Sequence, residues 1–462
     1  MNRSRRRALG LGAVLAVCLG LLTGAAPQES GEEAAPPRRS ELTPEQAYAE
    51  IKSQLSLHLE EHLFPFWRNS IDFRHGGFTN SLKRDGSVAD GRKMLVGQAR
   101  QVWTFARMWN EGYRIPWIYQ GLVGGMNFLH QKVRDKKHGG YFWEVGRQGK
   151  PINESKQTYG HAFAIYGAVE FYRASGYPAA LKMAEDTFNV LERHAHDDEH
   201  GGYYDVMERD WTPKPDGRNK STNTHMHVLE ALTELCMVTG KDRHKERLAE
   251  VLDRLIEHAY LPEYHCTIEA FNPDWTPIRT GPGAAKNDHT SYGHNVELAW
   301  LMQRAVQALD QPPEKYREIG LNLINHAIRY GWHPQAGALQ SSGPWRGPAT
   351  NSTISWWMQA ENAIALDWAW RTTGDEGYLQ ALYRQVAWIL SRQADLRYGG
   401  WWDSLTPQGR VKSDRKAHGW HTAYHEVRAC LNITRGWGGT TMGATEEEGT
   451  EDDAAIPEGQ TR

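Results

Sequence analysis

Three histidines, a tryptophan and a tyrosine crowd into KAHGWHTAYHEVRACL, residues 416 to 431. An unperturbed imidazole titrates near ~6.5, so such a cluster could move protons at neutral pH. It could equally bind a metal, or be an aromatic-rich core helix. Similar groups recur along the chain: Arg100 in GQARQVW, Tyr159 and His161 in KQTYGHAF, Asn223 and His227 in NTHMHVLEA, His294 and Glu297 in YGHNVELAW, Trp357 and Glu361 in SWWMQAEN, and Trp420 and His425 in GWHTAYHEV. Asn223 and His227 lie four apart and His294 and Glu297 three apart, so each pair shares one helix face. Polar groups on otherwise apolar helices are costly unless paired, and a pocket explains them. His294 and His425 are the candidates for proton transfer, and Trp357 and Trp420 for stacking on a ligand. His161 and His225, taken singly, read as hydrogen-bonded core residues. His75, His138 and His200 precede repeated glycine turns and read as turn residues, and HAHDDEH from His194 fits no tight metal-ligand spacing, so no metal site is expected.

What could bring these residues together is a repeat. HGGF at His75, HGGY at His138, HGGY at His200 and YGGW at Tyr398 place their first glycines at 76, 139, 201 and 399. The intervals are 63, 62 and 198, the last being three times 66, so two weaker units belong in the gap: YLPEYHCTIEAFNPDW from Tyr260 and GWHPQAGALQSSGPW from Gly331. Each unit carries an amphipathic helical pattern before the turn, such as ALKMAEDTFNVLERHA from Ala180, and a more apolar one after it, such as HAFAIYGAVEFYRASG from His161. The expected fold is all-α: an (α/α)6 barrel of six helical hairpins, with short β-hairpins near the glycine turns at one end. The starts of the buried helices would then point to that end, and equivalent residues would converge there.

With 462 residues, 40% hydrophobic and 24% charged, the chain can bury one large core. Residues 1–26 have the layout of a signal peptide: arginines, an apolar run from Ala8 to Leu22, then small residues. Ser4-Arg5-Arg6-Arg7 resembles a twin-arginine export signal, and the protein is expected to be exported, periplasmic or secreted; a lipid anchor at Cys18 is less favoured because Val17 is a poor residue before it. Removing that stretch, with four arginines and no acidic residue, takes the formal charge from -3 to -7, which argues against nucleic-acid binding by bulk charge. Residues 27–42 read as a polar linker, 43–437 as the barrel and 438–462 as an acidic, disordered tail. Thr43-Pro44-Glu45-Gln46 has the pattern of a capped helix start. Cys236, Cys266 and Cys430 are too scattered for a disulfide framework and read as buried apolar residues. No later apolar run approaches the ~20 residues needed to span a bilayer.

From about residue 45 to 435 the chain resembles the N-acylglucosamine 2-epimerase family, most closely its cellobiose 2-epimerases, in GQARQVWTFA, KQTYGHAFAIYGAVEFYRASG, NTHMHVLEAL, GHNVELAWL, WWMQAE and YHEVRACL. The resemblance implies an (α/α)6 barrel and a sugar 2-epimerase that interconverts glucose and mannose at the reducing end of a β-linked disaccharide, without metal or nicotinamide cofactor. It implies catalytic histidines at His294 and His425, with Arg100, Asn223, His227, Glu297 and Trp420 binding or supporting the substrate. Three positions depart from the family pattern: Asn295 stands where aspartate follows Gly-His, His421 where lysine follows the tryptophan, and His161 where glutamine is usual.

Epimerisation at C2 needs an open-chain aldehyde, removal of the proton beside its carbonyl, and return of a proton to the opposite face. Two separated histidines suit that demand. Arg100 and His227 are expected to supply donors to the enediolate oxygen, Glu297 to orient His294 or hold its proton, and Trp357 and Trp420 to grip the sugar. A mannose (aldose-ketose) isomerase or an N-acylglucosamine 2-epimerase fits the same residues. A glycoside hydrolase on the same toroid would instead use Glu297 and Glu361, about 5–10 Å apart across the scissile bond, and a third reading is a non-catalytic sugar-binding protein.

Overall fold

The computed structural model describes residues 42–214 and 217–437, so the expected signal peptide, most of the linker and the acidic tail lie outside the described residues. In chain order the helices are α1 (Pro44–His58), α2 (Phe64–Arg68), α3 (Leu95–Asn110), α4 (Pro116–Phe128), α5 (Thr158–Ser175), α6 (Pro178–His194), α7 (Thr222–Thr239), α8 (Asp242–Arg254), α9 (Gly281–Asn287), α10 (Tyr292–Leu309), α11 (Glu314–His326), α12 (Trp356–Thr373), α13 (Glu376–Trp388) and α14 (Ala423–Arg435). Thr43 caps α1 through the expected capping box with Gln46.

Two kinds of helix alternate because the sequence patterns alternate. Along α5 every residue from Thr158 to Phe171 is buried, since the run offers no charged face to water. In α6 the buried residues are Ala180, Met183, Ala184, Thr187, Phe188 and Leu191, a stripe with Lys182, Glu185 and Glu192 pointing away. The buried kind forms the inner ring: α3 packs on α5, α5 on α7, α7 on α10, α10 on α12, α12 on α14 and α14 back on α3. Outside it α4, α6, α8, α11 and α13 each lean on the helix before them, and α1 covers α14, so the first described helix completes the last described hairpin. This is the (α/α)6 barrel.

The glycine turns explain the repeat. In four units an aspartate (Asp72, Asp135, Asp197, Asp395) binds a buried lysine (Lys93, Lys156, Lys220, Lys416) at 3.1, 3.0, 2.7 and 3.0 Å, and the same ammonium reaches the carbonyl of the first turn glycine. The second glycine is needed for close approach as well as for its left-handed backbone. A Cβ on Gly140 would stand 2.5 Å from His161 Nε2, and one on Gly202 would stand 2.7 Å from His225 Nε2. The two weaker units have ordinary hairpins instead, Tyr260–Leu261 with Cys266–Thr267 and Trp332–His333 with Ala338–Leu339. Where the lysine would stand they carry Thr290 and Ile354. Short strands also link neighbouring units: the pair of residues before an inner helix joins a strand from the next unit, as Lys156–Gln157 joins Val206–Met207 and Lys220–Ser221 joins Ala270–Phe271. A bridge from Leu82 to Ala417 closes the belt.

Candidate active site

All six inner helices start at the belted end, and their registers match. The fourth residue of each (Gln98, His161, His225, Asn295, Gln359, Glu426) turns outward toward the loops, and in five of the six it accepts the backbone N–H of a turn residue: Phe78 on Gln98 (2.8 Å), Tyr141 on His161 (2.9 Å), Tyr203 on His225 (2.9 Å), Thr267 on Asn295 (3.0 Å) and Leu339 on Gln359 (2.9 Å). His161 and His225 also donate Nδ1–H to the carbonyls of Gln157 and Ser221, so both nitrogens of each are consumed and the structural reading holds. Burial pushes the two imidazoles down to about 3 and about 4, keeping them neutral. Two of the departures from the family pattern, His161 and Asn295, are thus alternative turn locks.

The sixth residue of each inner helix is Arg100, Phe163, His227, Glu297, Glu361 or Arg428, and these meet around the barrel axis. Arg428, fully buried, lies at their centre, with Nη2 donating to Glu297 (2.9 Å) and Glu361 (2.7 Å) and Nη1 to Glu230 and Tyr424. Burial, then the Glu361 charge, pushes Glu297 up to about 8. Burial would raise Glu230 too, but Arg428 and His227 hold it below its ordinary value. Above this floor is a cavity of about 280 Å³ lined by Arg100, Tyr159, Asn223, His227, His294, Glu297, Trp356, Trp357, His418, Trp420 and His425. Every residue singled out from the sequence as catalytic or substrate-binding lines it except Glu361, which sits behind His425. A larger cleft of about 520 Å³ lies at the ring seam beside Arg84, Tyr398 and Arg415, but its arginines already pair with Asp395, Ser81 and Asp90.

Of the four histidines that line the cavity, His294 and His425 flank Trp357, their rings 5.1 Å and 6.0 Å from its own. Their surroundings push them in opposite directions. Burial, reinforced by Arg100 and Arg428, drives His425 well below the ordinary histidine value. Its Nδ1–H donates to Glu361 over 2.6 Å, and Glu361 is itself held by Arg428 and by Trp300 Nε1 (3.0 Å), which leaves Nε2 as the lone-pair nitrogen. For His294 burial acts downward, but the Glu269 carboxylate 3.2 Å from Nδ1 prevails and raises it. Two imidazoles biased in opposite directions, His425 toward the neutral form and His294 toward the protonated one, thus face the same cavity, an arrangement suited to acid and base work.

Several expectations need correction. Glu297 does not orient His294 by a hydrogen bond, because Arg428 draws its carboxyl group inward; Glu269, ahead of α9, takes that part, and Glu297 acts on the imidazole only through its charge, which favours the proton there. For His227, burial pushes the imidazole down to about 4 and Nδ1 is engaged with Glu230 (2.8 Å), which favours an acceptor at Nε2 over the expected donor. Arg100 lines the cavity above the Phe163 ring, with Nη2 donating to Tyr159 Oη (2.7 Å) and Nη1 to the Trp420 carbonyl (3.1 Å). Glu297 and Glu361 share one guanidinium nitrogen and so cannot stand on opposite sides of a scissile bond. The sequence reading missed Glu230, Glu269, Trp356, His418 and Arg428; Arg428 was discoverable, having the same helix register as Arg100.

Among the described residues two groupings have ligand-like spacing, Glu297–Glu361–His425 and Asp403–His418–His421. In the first, the cation between the carboxylates is Arg428. In the second, His418 Nδ1 accepts the N–H groups of Trp420 (3.2 Å) and His421 (3.3 Å), which puts its proton on Nε2, donated to Asp403 (2.7 Å). That nitrogen therefore has no lone pair for a metal.

The N-acylglucosamine 2-epimerase (GlcNAc 2-epimerase) family profile matches residues 76–429. A cellobiose 2-epimerase of Bacteroides fragilis is 28% identical over 397 residues, covering 83% of this chain and 98% of that one. A D-mannose isomerase of Marinomonas mediterranea is 26% identical, covering 83% and 97%. The solved cellobiose 2-epimerase of Bacillus thermoamylovorans superposes with a TM-score of 0.77 at 26% identity, covering 84% of this chain and 99% of that one. Barrel, cavity and relatives together define a carbohydrate epimerase, an isomerase acting at C2 of a sugar. The chain belongs to the N-acylglucosamine 2-epimerase family.

Proposed function

We propose that the protein interconverts glucose and mannose at the reducing end of a β-linked disaccharide such as cellobiose, with His294 and His425 as the proton-transfer residues. The observation that carries this reading is the pair of histidines on one indole, each with Nδ1 on a carboxylate and Nε2 left to the cavity. Once the ring has opened, His425 Nε2 takes the proton from C2. The electron pair of that C–H bond becomes the C1–C2 double bond, and the carbonyl oxygen takes the negative charge beside Arg100. His294 then delivers its proton to the other face of C2, restoring the aldehyde as the epimer and leaving the two histidines with exchanged states. Glu361 holds the His425 tautomer, and Glu269 supports the cation on His294. Trp357, Trp420, Tyr159 and Asn223 bind the sugar, and the His227 Nε2 lone pair accepts from one of its hydroxyls.

Incubation with cellobiose in D2O, followed by NMR, tests this: one deuterium at C2 of each product is expected, and product without it rules the mechanism out. The mannose isomerase reading would show as fructose from mannose in the same assay. We also infer export, on the arginines and apolar run of residues 1–26; an intact N-terminus in the cytosolic fraction of the producing cell would refute it. Among the described residues no helix is long and apolar enough to cross a membrane.

A further inference from the structure

His421 is absent from the catalytic scheme, yet its surroundings are unusual. It is fully buried just before α14 and lies between two carboxylates: Nε2 is 2.8 Å from Glu426 Oε1, and Nδ1 is 3.6 Å from Asp403 Oδ1. Nδ1 has no hydrogen-bond partner. The ring stacks on Trp356, 4.1 Å between centroids at 16°, with Trp67 at 6.0 Å on another side. A neutral imidazole could serve only one carboxylate and would aim its second nitrogen's lone pair at the other. An imidazolium presents a proton to each, and across the 3.6 Å to Asp403 the attraction of unlike charges still acts.

The backbone it anchors is the edge of the cavity. Trp420, 43% exposed at the mouth, precedes it, and the N–H groups of both residues converge on His418 Nδ1. His418 in turn donates to Asp403, the same carboxylate that faces His421, and the Trp420 carbonyl accepts from Arg100. Asp403 therefore ties His418 and His421 together, while Glu426, which also accepts from Trp67 Nε1 (2.9 Å), ties His421 to α14.

We propose that His421 is a positioning residue, an imidazolium clamped between Asp403 and Glu426 that fixes the His418–Trp420 segment against the substrate. It acts through Trp420 on binding, not on proton transfer. The groups facing it are Asp403, Glu426 and His418; Lys416 acts on Glu426, and Arg415 on His418. Burial alone would lower His421, but the two carboxylates hold it above its ordinary value. The clamp is thus complete below about 6.5 and is lost as pH rises through the raised value.

The inference rests on the cavity being the sugar site, and the experiment separates the two. KM and kcat for cellobiose are measured from pH 5 to 9 in the wild type, His421→Lys and His421→Gln, with sugar affinity read in parallel from tryptophan fluorescence. In the wild type KM rises about tenfold toward high pH, the scale of one lost charge-held contact. His421→Lys, whose cation persists, keeps KM low across the range, and His421→Gln shows the raised KM at every pH, both with wild-type kcat. A KM limb unchanged in His421→Lys, or an effect on kcat alone, overturns the clamp. Should His421→Gln not fold, the imidazole titration of the wild type, read by 15N NMR, decides: a His421 that is neutral at pH 6 overturns it too. Absence of turnover and of sugar binding in the wild type would instead count against the proposed function.

Discussion

His161 and His225 occupy the fourth position of their inner helices, while His294 and His425 occupy the third of theirs, one residue away at the same end of the same ring. In the first pair both nitrogens are taken by backbone groups, and nothing is left for a substrate. In the second, Nδ1 faces a carboxylate and Nε2 is left to the cavity. A rotation of one residue, about 100° around a helix with 3.6 residues per turn, separates a turn lock from a proposed proton carrier. Burial alone does not distinguish them, since His425 and His161 are both nearly inaccessible. What distinguishes them is which partner each nitrogen meets.

The sharpest test exchanges the pairs. Phenylalanine at His294 or His425 should lower kcat about 10³-fold, within the ~10² to 10⁴ typical of general acid–base groups, while glutamine at His161 or His225 should leave kcat near wild type. An equal loss in both sets, measured by NMR of the epimer ratio, would break the distinction. Next in size, Arg428→Leu strands Glu230, Glu297 and Glu361 as buried carboxylates and should cost about 3–5 kcal/mol in denaturant melts. Adding Glu230→Gln, which removes the carboxylate that Arg428 holds below its ordinary value, should recover part of that loss.

The pH profile sharpens the same contrast. His425 must be neutral and lies well below the ordinary histidine value, so kcat/KM should hold through mildly acidic pH. His294 must carry a proton and lies above that value, so activity should fall as pH rises past its raised value. Glutamine in place of Glu269 should bring that alkaline limb down. The smallest effect concerns stability. Because the locks must stay neutral, the unfolded state binds protons that the fold refuses, and stability should decline as pH drops from about 6.5 toward about 4. His225→Gln should flatten that slope, measured by thermal melts at stepped pH.

The ring itself was legible because a glycine pair with left-handed backbone marks four of the six repeats, and the two unmarked units at Tyr260 and Gly331 followed from spacing. Strand pairing between successive units was not legible: two-residue strands carry no periodicity, and their partners lie in the next repeat. Most cavity residues could be found because polar side chains on apolar helices stand out. Glu269 could not, being one acid among many in a loop, and the pairing of Glu297 with Arg428 rather than His294 depends on distances that helix spacing does not encode. The π-helical turns at Leu59–Leu63, Leu129–Val133, Leu255–Ala259, Ala327–Gly331 and Ile389–Gln393, which end outer helices, leave no trace in hydrophobic patterning either.

The packing of α1 on α14 bears on chain topology. Tyr48 Oη donates to Asp367 at 2.7 Å and lies 3.3 Å from the Ile433 carbonyl, so the two ends of the described chain meet on one flank of the ring. A circle has no compulsory starting point. Joining residue 437 to residue 43 by a short linker and opening the chain at the exposed Gly176–Tyr177 connection should give a circular permutant with every lysine–aspartate pair, turn lock and cavity contact intact.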